Sequence, residues 1–509
     1  MQAITSEEMR RLEASCADSL DTLMQTAGDN AAFEFHEQAL RTLPPRHRRR
    51  FVVFAGKGNN GGDALCVARY LHSHGQEVIV HSICALANYS GTASSQAQSF
   101  PNDIPYHVVN QQVTDIALKP GDVIIDGLLG IGLKGNARGV CAEIIEQINA
   151  SGLPVYSIDC PSGLDCDTGV GETVVRADFT VTMAFPKVGF FLNRGPESIG
   201  RLQVVPIGLP QAVMESAAGQ FEAFTMQDAR SLLSRRTSNS HKNTFGHSLC
   251  IAGSQRYSGA PFLAAEAAMR SGAGLVTLAL PSPAIRGNAP TSIIVAQIGN
   301  EPQFAPSHIP EIQNLATRSN AILYGPGTGM DVPQKVLEAI LELDQPTVID
   351  ADGIRLLAKS TRCQELLRQR KSEVILTPHP GEMSVLLQGL RLEGLLSAPR
   401  KEQATEAAAR CNAFILLKGQ HSIVASPDGR YSINTSGSPA LATAGTGDVL
   451  AGIIVALLSQ KMNAWDALRL GAYVHGLAAE LFTAATMSMM ADDLLPLLPQ
   501  ALRHISPTA

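Results

Sequence analysis

Short apolar segments alternate with helix-length segments along most of the chain. In the first half the apolar segments cover residues 51–55, 77–83, 122–126, 154–159 and 179–183. In the second half they cover residues 248–252, 275–279, 321–324, 347–350, 373–377 and 414–418. Such segments are typical of strands buried on both faces of a parallel sheet, with helices on either side. The alternation therefore predicts an α/β protein built from doubly wound, three-layer sandwiches.

The alternation weakens between residues 205 and 225, where proline, glycine and alanine predict a domain boundary. We expect an N-terminal domain over residues 1–215 and a C-terminal domain over residues 222–509. The first domain should open with a helix, because Ser6 is a good N-cap and Met9 and Leu12 follow at helical spacing. The same periodic pattern continues toward Leu40.

Charge and cysteine content exclude several classes of protein. The net charge of -6 argues against general nucleic-acid binding, and the basic run at 46–50 is interpreted as a solvated loop. Nine cysteines without a Cys-x-x-Cys pair fit neither a disulfide framework nor a zinc site, so we expect a reducing cytoplasm. The N-terminus does not resemble a signal peptide, and no apolar segment reaches the roughly 18 residues that cross a bilayer.

The segment 434–452 carries the strongest chemical signal. Gly445 and Gly447 flank Thr446 where a helix should begin, so unpaired N–H groups and the positive helix end would favour a phosphate there. Asp448 would repel a phosphate that it touched. We therefore expect its carboxylate to point past the phosphate toward a hydroxyl group and to remove the hydroxyl proton. The pattern predicts kinase-like chemistry.

Polar residues follow other predicted strands of the second half. Lys418 comes after four apolar residues, which favours a phosphate-binding role over a solvated charge. Asp350 and Asp352 would bind Mg²⁺ or cap the next helix, and the sequence leaves both readings open. His379 lies between two prolines, where a structural role is the more common one. Together these residues should surround one edge of the sheet.

The first half contains a strand, a glycine loop and a helix at 51–71. Residues 56–61 satisfy the G-x-G-x-x-G pattern of dinucleotide dehydrogenases, which is weak evidence by itself. Asn60 and Asp63 crowd this loop with polar side chains, whereas a pyrophosphate would require a bare backbone.

Two more predicted strands of the first half end in polar glycine loops, at 126–139 and 157–169. Because parallel strands share one ligand-binding edge, Asn60, Asp126 and Ser162 should converge. Their oxygen atoms and single carboxylate suit a monovalent cation better than zinc. Asp159 is left for acid/base work. The alternative is that Asp126 and Asp159 only cap helices or turns.

Residues 5–210 resemble the N-terminal epimerase domain of the bifunctional NAD(P)H-hydrate repair enzymes. The resemblance rests on the motifs at 59–63, 126–139 and 158–165. It implies a Rossmann-like fold that interconverts the R and S forms of hydrated NADH and NADPH (NAD(P)HX), with Asp159 at the damaged nicotinamide ring. It also implies potassium bound by Asn60, Asp126 and Ser162. The implied substrate-binding residues are Asn59, Asn60, Gly61, Gly62, Asp63, Gly130, Ile131, Gly132, Leu133, Lys134, Gly135, Asn136 and Asp159.

This sequence departs from the family pattern at Ile131, where the family more often has threonine. A backbone contact to the cofactor's phosphates would survive that change. A hydroxyl contact would not.

Residues 225–505 resemble the ribokinase-like dehydratase domain of the same enzymes, through motifs at 253–260, 325–327, 350–353, 377–382, 418–419 and 445–448. The resemblance implies that Asp448 deprotonates the hydroxyl of the hydrated ring, which ADP and Mg²⁺ then phosphorylate so that phosphate can leave. The residues implied to bind the hydrate are Ala260, Gly327, His379 and Asp448. Those implied to bind the nucleotide are Lys418, Gly419, Gln420, His421, Ser422 and Gly447.

Two other functions stay open from the sequence. The C-terminal domain would alternatively be a kinase of a small vitamin alcohol, and the N-terminal domain a non-catalytic nucleotide-binding module. The expected partners are NADHX, NADPHX and ADP, with no nucleic acid and no membrane. The resemblance also implies self-association of the chain.

Overall fold

The computed structural model describes residues 1–16, 20–44, 48–109, 116–233, 239–282, 290–482 and 486–506. The chain divides into two compact units, Met1–Ala223 and Phe224–Ala509. Each unit is a mixed α/β sandwich, so the predicted fold class is confirmed. Among the described helices, none is long and apolar enough to cross a membrane.

The first unit is organised around a seven-stranded parallel sheet. The first nine strands of the chain are β1 (Gln2–Ala3), β2 (Arg50–Ala55), β3 (Glu77–Ser82), β4 (Tyr106–Val108), β5 (Val123–Gly127), β6 (Val155–Ile158), β7 (Phe179–Met183), β8 (Arg201–Val205) and β9 (Phe221–Phe224). The sheet has the order β4-β3-β2-β5-β6-β7-β8. The strand order reverses between β2 and β5, and ligands bind open α/β sheets at such a switch point.

Helices cover both faces of this sheet. They are α1 (Ser6–Ala14), α2 (Leu20–Thr42), α3 (Asn59–Ser73), α4 (Thr92–Gln98), α5 (Val140–Ala150), α6 (Gly195–Ser198) and α7 (Gln211–Glu215). Phe51, Val53 and Ala55 of β2 belong to one buried cluster, whereas Val52 and Phe54 belong to another. This alternation follows from the two-residue period of a strand and produces the three-layer arrangement.

The N-cap predicted for the first helix is wrong by one residue. The Oγ1 atom of Thr5 accepts a hydrogen bond from the amide of Glu8 at 3.2 Å, so Thr5 is the N-cap and Ser6 the first helical residue. The Ser6 hydroxyl donates instead to Asp167 at 2.6 Å. The tertiary contact with Asp167 therefore replaces the local cap that the sequence suggested.

The second unit contains a nine-stranded sheet. Its strands are β10 (His247–Ile251), β11 (Leu275–Leu280), β12 (Ile294–Gln297), β13 (Ala321–Tyr324), β14 (Thr347–Ile349), β15 (Val374–Leu376), β16 (Phe414–Leu417), β17 (Ile423–Ala425) and β18 (Tyr431–Asn434). They lie in the order β18-β17-β16-β15-β14-β13-β10-β11-β12, with β17 antiparallel to both of its neighbours and the other pairs parallel. Here the switch point lies between β10 and β13.

The helices of the second unit also form two layers. They are α8 (Met226–Leu232), α9 (Ala260–Arg270), α10 (Ile309–Ala316), α11 (Gln334–Leu341), α12 (Asp352–Lys359), α13 (Thr361–Gln369), α14 (Pro380–Gly389), α15 (Arg400–Cys411), α16 (Thr446–Ser459), α17 (Ala464–Glu480) and α18 (Ala491–Ile505). Helix α16 is buried on all sides from Val449 to Ser459. A helix that is apolar all round belongs to the interior of a large core, and α16 packs against α9 and α17 there.

Two of the nine cysteines form a pair that the cysteine content did not predict. Cys160 and Cys166 form a disulfide in the loop after β6, whereas the other seven cysteines are free. The loop folds back on itself, so both sulfur atoms enter one small buried cluster with Leu164 and Phe190. The sequence separation of six residues gave no recognisable pairing pattern.

Candidate active sites

The first candidate site lies at the switch point of the first unit, where the loops after β2 and β5 meet. The amide of Gly56 donates to the carbonyl of Gly127 at 3.0 Å. A Cβ atom on Gly56 would lie 1.8 Å from the carbonyl oxygen of Leu128, and one on Gly61 would lie 1.9 Å from that of Gly56. Close backbone packing therefore explains two glycines of the G-x-G-x-x-G pattern without a dinucleotide.

Asp126 and Ser162 form the buried centre of this site. The carboxylate of Asp126 is completely buried and accepts hydrogen bonds from the Ser162 hydroxyl at 2.5 Å and the Ser162 amide at 2.8 Å. Ser157 donates to the same carboxylate at 2.9 Å. Burial raises the pKa of Asp126, and the hydrogen bonds from Ser162 oppose that shift. A cation beside this group would favour its ionised form.

Asn60 is linked to Ser162 through the carbonyl group of Leu129. Its Nδ2 atom donates to the Leu129 carbonyl at 2.9 Å, and the Ser162 hydroxyl lies 3.2 Å from that carbonyl. The Oδ1 atom of Asn60 is buried and has no hydrogen-bond partner in the part of the chain that the structure describes. A buried acceptor is costly when it is unpaired, so this atom fits a cation ligand. The donor set, neutral oxygens with one carboxylate, suits potassium.

Asp159 follows β6 directly and is held by a buried lysine. The Nζ atom of Lys187 lies 2.6 Å from Asp159 Oδ1, and the Lys187 side chain has no exposed surface. Thr182 and the amide of Met183 donate to the same oxygen at 3.0 and 3.1 Å. Asp159 has a φ of +60°, in the left-handed region that a non-glycine residue seldom adopts. Sequence reasoning identified Asp159 but missed Lys187.

The charge of Asp159 also affects the pKa values of two other acidic side chains. Burial raises the pKa of Asp63 well above its ordinary value, and the charges of Asp159 and Glu13 raise it further. Burial and the charge of Asp159 likewise raise the pKa of Glu13. Asp63 lies in the second turn of α3 and Glu13 in α1. Asp63, one of the predicted residues 59–63, is therefore close enough to Asp159 to be influenced by its charge.

The predicted phosphate loop, residues 130–136, is tied to helix α1 and to Asp167. Arg10 donates to the carbonyl of Ile131 at 3.0 Å, and Lys134 pairs with Asp167 at 2.7 Å. A Cβ atom on Gly130 would lie 3.0 Å from Asn60 Cβ, so this end of the loop lies against Asn60. Around Gly132 and Gly135 the described residues leave open space. The loop is thus held at residues 130, 131 and 134 and leaves space beside Gly132 and Gly135, an arrangement that suits a ligand.

The second candidate site lies at the switch point of the second unit. The amide of Gly253 donates to the carbonyl of Pro326 at 2.8 Å, which joins the loops after β10 and β13. Gly327 has a φ of +63°, and a Cβ atom on it would lie 3.2 Å from that of Ala260. Ala260 and Gly327, both predicted to bind the hydrate, are therefore neighbours. Half-exposed Tyr257 lies beside them.

Three neighbouring strands deliver polar residues to the same edge. Asp350 follows β14, Thr377 follows β15 and Lys418 follows β16. Asp350 Oδ1 accepts from Lys418 Nζ at 2.8 Å and from the Thr377 hydroxyl at 2.7 Å. Burial disfavours the charge of Lys418, but Asp350 and Glu382 together raise its pKa above the ordinary value. The lysine is a charged member of the site.

Asp448 lies at the third residue of α16, next to Lys418. Gly445 is the N-cap with a φ of +89°, and a Cβ atom on Gly447 would lie 3.3 Å from Lys418 Nζ. Burial raises the pKa of Asp448 to about 7; the charge of Asp350 raises it and that of Lys418 lowers it. A carboxylate with this pKa is matched to general-base catalysis near neutral pH. The helix start also offers unpaired amides to a phosphate.

The remaining acidic residues and His379 have clear structural partners. His379 is the N-cap of α14: its Nδ1 accepts from the Gly381 amide at 3.0 Å, and its own amide donates to Glu382 at 3.0 Å. Asp352 accepts from the amide of Gly329 at 2.9 Å. No side chain caps α12, so Asp350 and Asp352 do not cap that helix.

The nucleotide loop predicted at 418–422 rests on an arginine that the sequence did not indicate. Arg400 donates to the carbonyls of Gln420 and Leu417 at 2.7 and 3.2 Å. A Cβ atom on Gly419, whose φ is +142°, would lie 2.8 Å from the guanidinium of Arg400. The hydroxyl of Ser422 donates to the Gly419 carbonyl at 3.0 Å. The contacts with Arg400 therefore fix the backbone of this loop.

Comparison with known proteins gives the same division of the chain. A family described as the YjeF-related protein N-terminus matches residues 20–189, and a family described as NAD(P)H-hydrate dehydratase matches residues 248–500. The bifunctional NAD(P)H-hydrate repair enzyme Nnr of Moorella thermoacetica is 35% identical, over 99% of this chain and 97% of its own length. The enzyme of the same name from Thermofilum pendens is 36% identical, over 89% and 87%.

Among solved structures, the ADP/ATP-dependent NAD(P)H-hydrate dehydratase of Bacillus subtilis, co-crystallised with ATP and Mg²⁺, is 30% identical. It covers 57% of this chain and all of its own, with a TM-score of 0.44.

Proposed function

Because this chain belongs to the family of bifunctional NAD(P)H-hydrate repair enzymes, we propose that it carries out both repair steps on hydrated nicotinamide cofactors. The N-terminal domain, residues 1–215, exchanges the R and S forms of NADHX and NADPHX. The C-terminal domain, residues 222–509, dehydrates the S form at the expense of ADP. The observation that carries the proposal is Asp448, a carboxylate with a pKa of about 7 beside Lys418 at a glycine-rich helix start.

In the dehydratase site Asp448 removes the proton of the ring hydroxyl. The hydroxyl oxygen attacks the terminal phosphorus of ADP, and AMP leaves. The new C–O–P group then loses phosphate with the electron pair of its C–O bond, assisted by the lone pair of the ring nitrogen. Loss of a proton from the adjacent ring carbon restores the double bond of NADH or NADPH. Phosphorylation is required because hydroxide is a poor leaving group, whereas phosphate is a good one.

Two neighbouring pairs of residues support the proposed binding roles. Lys418 and Gly447 lie side by side and, with the backbone of residues 419–422, are proposed to bind the phosphates. Ala260 and Gly327 are also neighbours and, with His379, are proposed to bind the hydrate. No group of three or more acidic, histidine or cysteine residues in the described chain is arranged to hold a metal. Mg²⁺ bound with the nucleotide would neutralise phosphate charge, and Asp350 or Asp352 is the protein carboxylate proposed to hold it.

In the epimerase site Asp159 is the acid/base group. The hydroxyl of the hydrate is bound to the carbon next to the ring nitrogen, so deprotonation lets the carbon–nitrogen bond open to an aldehyde. The nitrogen receives the proton, the carbon–carbon bond rotates, and closure on the other face inverts the centre. Potassium held by Asn60, Asp126 and Ser162 would supply positive charge near the cofactor's phosphates.

The cellular setting is also proposed from the residues. Seven free cysteines fit a reducing compartment, so we place the reactions in the cytoplasm. We expect the chain to self-associate, as its family resemblance implies. Sedimentation of the purified full-length chain tests this, and a sedimentation coefficient of a monomer would contradict it.

The decisive experiment is a coupled assay on an epimer mixture of NADHX with ADP or ATP and Mg²⁺ side by side. We expect the absorbance of reduced nicotinamide to return with ADP, together with AMP and free phosphate. A stable phosphorylated product would instead favour a kinase of a small vitamin alcohol. No regain of absorbance with either nucleotide would refute the repair function.

A further inference from the structure

Lys187 is the most completely buried charge of the first unit that the function described so far does not use. It follows β7, and its side chain has no exposed surface. Its ammonium group lies within hydrogen-bond distance of four oxygens: Asp159 Oδ1 at 2.6 Å, Thr182 Oγ1 at 2.8 Å, Phe185 O at 3.0 Å and Met183 O at 3.2 Å. An ammonium group has three N–H bonds to donate, so all of them have acceptors. This environment is built for a charged lysine.

The two oxygens of Asp159 have different surroundings. Oδ1 accepts from Lys187, from the Thr182 hydroxyl and from the Met183 amide. Oδ2 receives no hydrogen bond from any residue in the described ranges, and it is not enclosed as an unpaired buried atom. The backbone of Asp159 is fixed as well, because its amide donates to the Val181 carbonyl at 2.7 Å. One oxygen is therefore anchored, and the other is accessible and has no hydrogen-bond partner among the described residues.

The alternative explanation is that Lys187 only stabilises the turn from Thr182 to Lys187. Its bonds to the carbonyls of Met183 and Phe185 serve that purpose. The shortest contact, however, goes to the carboxylate of Asp159 rather than to either carbonyl. A carboxylate with one oxygen fully hydrogen-bonded and the other free is more consistent with a catalytic base held in position than with a residue that only stabilises a turn.

We propose that Lys187 is a positioning residue that fixes Oδ1 of Asp159 and leaves Oδ2 as the single proton carrier of the epimerase reaction. The proposal rests on the epimerase function given above. Oδ2 takes the hydroxyl proton as the ring carbon–nitrogen bond breaks and its electron pair moves to nitrogen. The same oxygen then gives that proton to the ring nitrogen. Ring closure reverses both transfers on the opposite face, so atoms and charge balance.

The test uses the full-length chain and separates epimer exchange from dehydration. Purified R-NADHX is incubated without nucleotide, and the two epimers are resolved by chromatography. We expect Lys187→Met to lower kcat for exchange by about 100-fold or more, while KM changes by less than about threefold. Dehydration of S-NADHX with ADP should keep its wild-type rate. Lys119→Met removes an exposed lysine of the same unit and serves as the matched control.

A second variant guards against a loss that comes only from misfolding. Lys187→Ala leaves a space behind Asp159, and methylammonium or ethylammonium should restore part of kcat as its concentration rises. Asp159→Ala should show no such recovery. Wild-type exchange rates in Lys187→Met overturn the proposal, and so does a loss in Lys187→Ala that no alkylammonium relieves. If the wild-type chain exchanges no epimers, the epimerase function itself fails, and that result is distinct from both.

Discussion

Lys418 lies 2.8 Å from the carboxylate of Asp350 and beside the backbone of Gly447, one residue before Asp448. A single ammonium group therefore joins the strand ends of the sheet to the start of the buried helix α16. Its charge lowers the pKa of Asp448, while Asp350 and Glu382 act in the opposite direction. The activity of the general base depends on the balance of these charges.

Replacing Asp448 by asparagine should abolish dehydration and spare epimer exchange. Asparagine keeps the size of the side chain but cannot accept the hydroxyl proton, so we expect kcat to fall by at least about 100-fold. The measurement is NADH formed from S-NADHX and ADP. Asp344→Asn, at an exposed position after α11, is the control. Residual activity within a few-fold of wild type would remove Asp448 from the mechanism.

The dehydratase rate should rise as pH increases through about 7. Asp448 works only when ionised, and burial raises its pKa to about 7, so the protonated and inactive form dominates below that pH. We expect kcat/KM to fall about tenfold per pH unit on the acid side and to level off above. Initial rates between pH 5.5 and 8.5 check this. A flat profile across that range would contradict the assigned base.

Lys418→Met should move this acid limb to higher pH. The charge of Lys418 lowers the pKa of Asp448, so its removal raises that pKa and leaves less of the active form at neutral pH. Loss of a charge-assisted contact to phosphate should also raise KM for ADP by about 10-fold or more. The matched control is Lys335→Met on α11, an exposed lysine. An unchanged pH profile together with unchanged KM would exclude Lys418 from the site.

Epimer exchange should require potassium, whereas dehydration measured on the S form alone should not. The proposed potassium ligand that this experiment tests most directly is Oδ1 of Asn60, which is buried and has no hydrogen-bond partner among the described residues. We expect exchange to slow when potassium is replaced by lithium or tetramethylammonium. Asn60→Ala should raise the potassium concentration for half-maximal rate by about tenfold, with Asn102→Ala as control. Exchange at full rate in potassium-free buffer would count against the site.

Gly419→Ala should weaken ADP binding more than a comparable change elsewhere. A Cβ atom there would lie 2.8 Å from the guanidinium of Arg400 and would displace the loop that borders the phosphate. Gly429→Ala is the control, because Gly429 also has a positive φ but open space around it. Both changes strain the backbone because both glycines have a positive φ, and only Gly419→Ala should raise KM for ADP. Equal effects would indicate backbone strain alone.

The sheets could be predicted because most of their strands are continuous apolar runs, as burial on both faces requires. The strands β12, β17 and β18 escaped prediction for other reasons. β12 is the last strand at one edge of its sheet and exposes Ile294 and Val295. β17 is antiparallel to both β16 and β18, so these strands do not follow the strand–helix–strand alternation that identified the parallel strands.

Polar residues that directly follow central strands could be recognised as site residues, as with Asp159 and Lys418. Lys187 lies outside the glycine-rich motifs, so the sequence indicated Asp159 but not the lysine that pairs with it. The signal was nonetheless present: Lys187 is the only charged residue between 179 and 191. A lone charge in an apolar segment requires a buried counter-charge, but only the folded chain shows that Asp159 provides it.

Helix α16 carries Asp448 at its first turn and is enclosed along nearly all the rest of its length. Because α16 is packed inside the core, the position of the Asp448 carboxylate is fixed by the packing of the protein interior. Small changes to the methyl groups around α16 should therefore alter turnover as well as the melting temperature. Catalytic rate then reports how well the second unit is packed.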